Sequence, residues 1–537
     1  MKRREFLKSA TALAAGTAIS GPAIWSAKAA SRKETLLQVT ENGPNNLDIQ
    51  GLGTNRPGYE ASWNCYDRLI THEKKTLPDG SLPYDRDKFK GELAEDMNIG
   101  DMSVTFKLKK AAKFQDGTPV TAKDVKWSFE RAIGVGGFPT VQMRAGSLVK
   151  KEQFVIVDDH TFRVDFIKKD RLTIPDLAVI VPGIYNSGLL QKHATAKDPW
   201  ARDYTKSNTA GSGAYKVVSW KPGVEVVYER YDAWVGGKLP ELKRVIWRTI
   251  PSPGNRRALM ERGDADLSFD LPAKDFSEMK KQGKLKMISN PIGNGMYSLE
   301  LNVVKPPFNN EKVRQAVAYA VPYQKIIEAA MFGVANPLFG GPSNDVSSIA
   351  WPQPTGYKTD MAKAAALMKE SGAGPIDTTI SFDLGDAVNS QPIAELIQES
   401  LGHIGIKTTI NKVPGSNWRS EMAKKSMPMM VNFFSGWLDY PEYFFFWCYS
   451  GQNAIFNTPS YVNKDMDKFI DGARAAAAIG DKEKYSTDVK GFISKAYHEV
   501  PRVPLFQPYL NVATQQNISG YSYWFHRQVD YRSIVKA

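Results

Sequence analysis

Short stretches of alternating apolar and polar residues recur along the chain, separated by segments with helical spacing. Residues 34–39 read as an early strand, cut off by the turn-forming run Asn42 to Asn46. Residues 59–69 place apolar side chains at helical spacing, whereas 103–109 alternate strictly, the period of a half-buried strand. Thr121 is positioned to cap a following helix, with Asp124 at its third position as a capping-box variant. A hairpin is expected over 154–166, turned at Asp158 and Asp159, and further strands over 224–229 and 244–249. Helices are expected over 313–332, 361–370 and 391–401, with strands at 378–382 and 406–410 between and after the last two. Strand, helix and strand across 375–412 imply a right-handed βαβ crossover and hence parallel sheet. The fold class is α/β.

Composition narrows the class further. The 537 residues are 42% hydrophobic, 24% charged and 11% aromatic, which is globular and excludes a disordered or fibrous polymer. That length suggests three or four domain-sized units, yet no low-complexity linker or internal repeat separates them. No run of 18 apolar residues follows the N-terminus, so a polytopic membrane protein is excluded. The net charge of +13 is scattered, without the basic, aromatic-interleaved runs that track nucleic acid. Cys65 and Cys448 lack CxxC partners, and the six histidines are dispersed, so neither a metal site nor a cofactor is expected. No GxSxG element appears, and the chain reads as a non-enzyme.

The first 29 residues form an address. Lys2, Arg3, Arg4 and Lys8 precede a weakly apolar stretch, Ala10 to Ile24, and Ala27-Lys28-Ala29 offers a small-x-small cleavage site. Arg3-Arg4 followed by Phe6-Leu7-Lys8 resembles the twin-arginine signal, which exports folded cargo. A disulfide could not form before such export, so Cys65 and Cys448 are expected as free, buried thiols.

Six segments in order carry a resemblance. Residues 93–96 (LAED), 104–108 (VTFKL) and 114–125 (FQDGTPVTAKDV) come first, then 211–215 (GSGAY) with 220–223 (WKPG). Tyr231 to Gly237, Arg257 to Asp266, and Leu301-Asn302 with Pro306 to Phe308 and Val313 to Ala316 follow, and 500–505 (VPRVPL) comes last. Together they are similar to the extracytoplasmic solute-binding proteins of family 5, which serve peptide- and nickel-type ABC importers. The resemblance implies a two-lobed periplasmic-binding-protein fold of class II, cluster C type, with an insertion subdomain in lobe I. It assigns residues 1–29 to the signal, 30–290 to lobe I with the insertion at about 75–200, 291–505 to lobe II, and 506–537 to the return into lobe I. It further implies a monomer in the periplasm that closes on a small solute and delivers it to an inner-membrane permease, with no nucleic-acid partner. The absence of a P-loop fits a binding subunit and not the ATP-hydrolysing motor.

The family's ligand-facing segment is matched by residues 435–443 (SGWLDYPEY). The resemblance makes Gly436 a point of close approach, Trp437 a flat wall and Asp439 the partner of a ligand ammonium, with Tyr440 beside them. This chain has one residue between Trp437 and Asp439 where the family has two. The lobe II loop 383–389, where dipeptide binders carry a carboxylate-gripping arginine, holds Asp383 and Asp386 and no arginine. That argues against a free dipeptide clamped at its C-terminus and for longer peptides, amine-bearing molecules or polyols. Asn46 at the cleft mouth and Trp418 as a stacking face complete the candidates. The alternative solutes are an oligosaccharide or opine-like polyol, and a metal chelate or haem, in the same transport role.

Overall fold

One strand, Arg502–Thr514, organises the molecule. In the computed structural model, which describes residues 30–76, 82–341, 346–453, 455–524 and 528–537, its first half pairs antiparallel with Gly295–Leu301 and Ala335–Pro337. Its second half pairs with Lys286–Pro291 and with the short strand Leu267–Ser268. Because only three residues separate Lys286–Pro291 from Gly295–Leu301, two antiparallel strands cross together from one half of the sheet to the other. The segment 1–29, with its export signature, lies outside the described residues.

Among the described residues this sheet has 12 strands. On one side of the crossing strand lie Gly295–Leu301, Met429–Ser435, Ile376–Asp383 and Ile406–Val413. On the other lie Leu267–Ser268, Thr35–Thr40, Arg244–Thr249, Glu225–Arg230 and Tyr215–Lys221. Ile376–Asp383 and Ile406–Val413 pair in parallel across helix Ala387–Gly402, with Ile380 opposite Ile410, as the strand–helix–strand pattern required. A separate sheet of Ala94–Ile99, Ser103–Leu108, Thr161–Asp165 and Phe154–Asp158 contains the expected hairpin.

Local chemistry explains where elements begin and stop. Thr121 N and Oγ1 both donate to Asp124 Oδ2, at 2.9 and 2.8 Å, opening helix Ala122–Gly134. The helix expected over 59–69 starts earlier, at Arg56, because Asn55 caps it, accepting from Gly58 N at 3.1 Å. The single helix expected over 313–332 is two pieces. Glu311–Ala320 stops before Pro322, which cannot donate into the ladder, and Tyr323–Lys325 then runs into a π turn, Ile326–Ala330.

Two large cores result. One gathers Tyr297, Leu299 and Val317 with Ile380, Ile397 and Phe506. The other runs from Leu36 to Ile534 and draws in the aromatic segment Tyr443 to Trp447. That segment forms most of helix Pro441–Cys448, and this helix and Arg474 of helix Lys464–Ala478 meet the 84–176 region through buried polar contacts. Arg474 forms an ion pair with Asp170, their side chains 5% and 0% exposed, and also donates to Ala145 O at 2.6 Å. Arg171 lies 3.6 Å from Glu442, and Tyr443 Oη donates to Gln142 Oε1 at 2.6 Å. Both cysteines are buried and free, and burial pushes both thiols upward, away from reactivity.

Candidate functional site

A cavity of about 1040 Å³ opens between the two halves of the sheet. It lies at the carboxyl ends of strands, since Thr40, Phe269, Asp383 and Ser435 all line it directly at or after strand ends. That is where open α/β sheets leave a crevice. Its volume sits at the top of the roughly 300–1,000 Å³ range of small-molecule sites.

The first wall comes from the 30–290 region. Helix Arg56–Cys65 presents Arg56, Tyr59 and Glu60 on successive turns of one face. Burial raises the Glu60 carboxyl to about 7, opposed by hydrogen bonds from Tyr531 and from Gln38 Nε2 at 2.8 Å. Thr40 Oγ1 accepts from Trp247 Nε1 at 2.6 Å, which sets that indole as a flat face. Asp270 holds a positive φ of 60°, sparsely populated for a side chain with Cβ. Arg256 fixes this turn by donating to Asp270 O at 2.5 Å and to Ile250 O at 2.6 Å, and it stands 3.6 Å from Glu41. Glu41 and Asp270 both line the cavity.

The facing wall comes from the 291–505 region. Asp383 ends its strand and accepts from Gly385 N at 2.8 Å, an Asx turn; burial is the largest influence and raises its carboxyl, against the pull of Arg419 and Arg56. Asp386 is engaged by its own helix and strand neighbours. It accepts from Asn389 at 2.9 Å, Ser390 at 2.6 Å and Tyr297 Oη at 2.9 Å. Trp418, 6% exposed, packs with Val413, Met422, Met427 and Met430 and still lines the cavity. Asn432, Phe433 and Phe434 from strand Met429–Ser435 continue the wall.

Of the residues singled out in the sequence, Asp383, Asp386, Trp418, Gly436 and Trp437 meet in this cavity. Gly436 does permit a close approach, but by a protein ring: a Cβ there would stand 2.2 Å from Tyr443. Asp439, Tyr440 and Asn46 do not line the cavity. Asp439 is half-buried on the other side of the turn, against Gly293 of the crossing segment, and its carbonyl accepts from Arg86 at 2.8 Å. Burial raises its carboxyl, and Arg86 and Lys75 oppose that. Tyr440 lies under the Arg171 guanidinium at 4.3 Å and donates to Arg86 O at 2.9 Å. Asn46 accepts from Asp48 N at 2.9 Å, a local turn; its neighbour Asn45 lines the cavity instead.

Sequence reading missed Arg56, Glu60, Asp270 and Arg419. The loop 383–389 holds no arginine, whereas the structure supplies one from helix Gly415–Lys424, beyond helix Ala387–Gly402 and strand Ile406–Val413. The signal was adjacency, because Arg419 follows the aromatic candidate Trp418. Among the described residues no group of three or more histidines, cysteines or carboxylates is disposed to hold a metal, and no helix is long and apolar enough to cross a membrane.

Comparison with known proteins matches residues 88–456 to the bacterial extracellular solute-binding proteins, family 5 middle. The probable D,D-dipeptide-binding periplasmic protein DdpA of Escherichia coli is 28% identical over 510 residues, 92% of each chain. Two solved structures share the fold. The periplasmic binding protein DppA of Helicobacter pylori, in complex with the peptide STSA, has a TM-score of 0.79 at 20% identity, over 94% of this chain and 98% of its own. AgaA of A. tumefaciens, in complex with agropinic acid, has a TM-score of 0.76 at 23% identity, over 91% of this chain and 94% of its own.

Proposed function

The chain belongs to the bacterial extracellular solute-binding proteins of family 5, and on that premise we propose that it is the capture subunit of an ABC importer for a peptide or a peptide-like, amine-bearing solute. The observation that carries this reading is the composition of the cavity. Five carboxylates (Glu41, Glu60, Asp270, Asp383 and Asp386) share one cavity with two arginines and four indoles (Trp247, Trp418, Trp437 and Trp447). An excess of carboxylate suits ammonium and hydroxyl groups, and the indole faces suit apolar side chains. The same indoles suit sugar rings, which keeps an opine-like or oligosaccharide solute as the second reading.

The working cycle is a clamp. Residues 30–290 with 506–537 form one jaw, 75–200 an insertion within it, and 291–505 the other jaw. The solute touches both walls only when they are together, so its binding free energy favours closure. The monomer acts in the periplasm, presents the closed form to a membrane permease and carries out no chemistry. Arg3-Arg4 direct export by the twin-arginine route; changing both to Lys should leave the chain in the cytoplasm, and unaltered periplasmic accumulation would favour the general secretory route.

Native mass spectrometry of freshly purified protein tests the solute class, because a closed cavity retains ligand through purification. Retained di- to pentapeptide masses support the reading. A retained sugar or opine mass, with no thermal shift on adding peptides, would replace it. Saturating peptide at ~100 times its dissociation constant should stabilise the chain by roughly 2.7 kcal/mol.

A further inference from the structure

We propose that Arg419 is the anion anchor of the cavity, and that the solute carries a carboxylate to meet it. The proposal rests on reading the cavity as the solute site. Helix Gly415–Lys424 holds Arg419 next to Trp418, and Trp418 and Met422 pin that helix into an apolar cluster with Val413, Met427 and Met430. The arginine is therefore carried on a fixed element, while its own side chain is exposed along the cavity wall.

What distinguishes it is the state of its donors. Among the described residues the Arg419 guanidinium has no hydrogen-bond or ion-pair partner, only the Phe456 ring at 5.8 Å. Asp383 lies close enough to feel its charge but makes no ion pair with it. The other cation of the lining, Arg56, is laid over the Phe433 ring at 4.8 Å. Buried arginines elsewhere are already committed: Arg68 to Glu92, Arg131 to Asp48, Arg474 to Asp170 and Arg502 to Glu300. Five N–H donors in a planar fork match a carboxylate two at a time, a geometry that lysine lacks. An uncommitted fork in a cavity otherwise rich in carboxylates points to a solute that brings its own anion. A solute bearing only amines or hydroxyls would leave Arg419 unused and the excess of acids to do the binding.

Thermal-shift and calorimetric titration of the full mature chain tests this with three probe pools: unmodified di- to pentapeptides, the same peptides C-terminally amidated, and N-carboxyalkyl amino acids. The wild type should bind free acids at least about tenfold more tightly than amides. Arg419→Gln should abolish that difference while the empty protein melts as the wild type does, and Arg419→Lys should restore part of it. Should Arg419→Gln lower the melting temperature of the empty protein, Arg419→Lys carries the acid–amide comparison in its place. If Arg419→Gln weakens acids and amides equally, or if adding Asp383→Asn restores its affinity, Arg419 is only a counter-charge to Asp383. The proposal then falls and the peptide reading stands. If only the N-carboxyalkyl amino acids bind, and Arg419→Gln weakens them, the anchor stands and the peptide reading falls. Wild type that binds no carboxylate-bearing probe overturns both.

Discussion

Asp176 is a buried carboxyl whose environment favours its neutral form, and Asp176→Asn should expose that preference as a change in the pH dependence of stability. Burial is the largest influence and raises the group to about 8; the hydrogen bond from Gln142 Nε2 to Oδ1, at 2.5 Å, opposes it, Asp170 adds to it and Arg474 subtracts. Oδ2 is buried without a hydrogen-bond partner among the described residues, so ionisation would place charge on an unsolvated atom. Because the folded value is raised above the unfolded one, the folded state keeps its proton where the unfolded chain has lost it. The stabilisation is fully present below about pH 4 and is lost as pH rises toward 8. At roughly 1.4 kcal/mol per pH unit within that window, wild type should lose about 2–3 kcal/mol from this group between pH 6 and pH 8. Glu60, raised to about 7, and Asp67, raised to about 6, titrate in the same direction, so the wild-type trend alone does not isolate Asp176. The difference between wild type and Asp176→Asn does, since the amide keeps the Gln142 contact and cannot ionise. Scanning calorimetry from pH 5 to pH 9 should show the variant gaining on the wild type as pH rises. A difference that stays constant within about 0.5 kcal/mol across that range would refute the reasoning.

Two further outcomes follow from the placement of charged residues. Arg474→Met leaves Asp170 buried without its guanidinium, which should cost about 3–5 kcal/mol of stability; Asp170→Asn in the same chain should recover part of it, and a calorimetric double-mutant cycle without coupling would remove the pair from the account. Asp439→Asn should change peptide affinity less than threefold by calorimetric titration, because the carboxylate lies outside the cavity beside Arg86 and Gly293; a tenfold loss would return it to the site.

Periodicity and cap chemistry made most of the scaffold legible. Alternation located Ser103–Leu108 within one residue, Thr121 and Asp124 marked the start of Ala122–Gly134, and the spacing around 391–401 anticipated the parallel crossover. The break in 313–332 is encoded by Pro322, but apolar spacing on both sides continues the helical pattern across it. The site was legible only in part. Trp437, Gly436, Trp418, Asp383 and Asp386 line one cavity, yet Asp386 is engaged by the side chains of Asn389, Ser390 and Tyr297, and Gly436 makes room for Tyr443. Arg56 and Glu60 sit more than 300 residues from Arg419, and Asp270 about 150, and they share a cavity with it only through the crossing of the two lobes. No local pattern records that approach; it belongs to tertiary packing.

The turn 435–443 joins the cavity to contacts with the 84–176 region. On one face Gly436 and Trp437 line the cavity, with the Tyr59 ring 5.6 Å from Trp437. On the other, Asp439 O and Tyr440 are held by Arg86 and Arg171, and Glu442 faces Arg171. One short segment therefore faces the cavity at its front and the 84–176 region behind. On the proposed clamp, separating the jaws would lose both sets together, and the buried Arg474–Asp170 pair with them. Breaking such pairs leaves charges to be resolvated, so they set geometry more than they add net stability. On this view the polar contacts define where the jaws meet, and the solute in the cavity supplies the free energy that keeps them there.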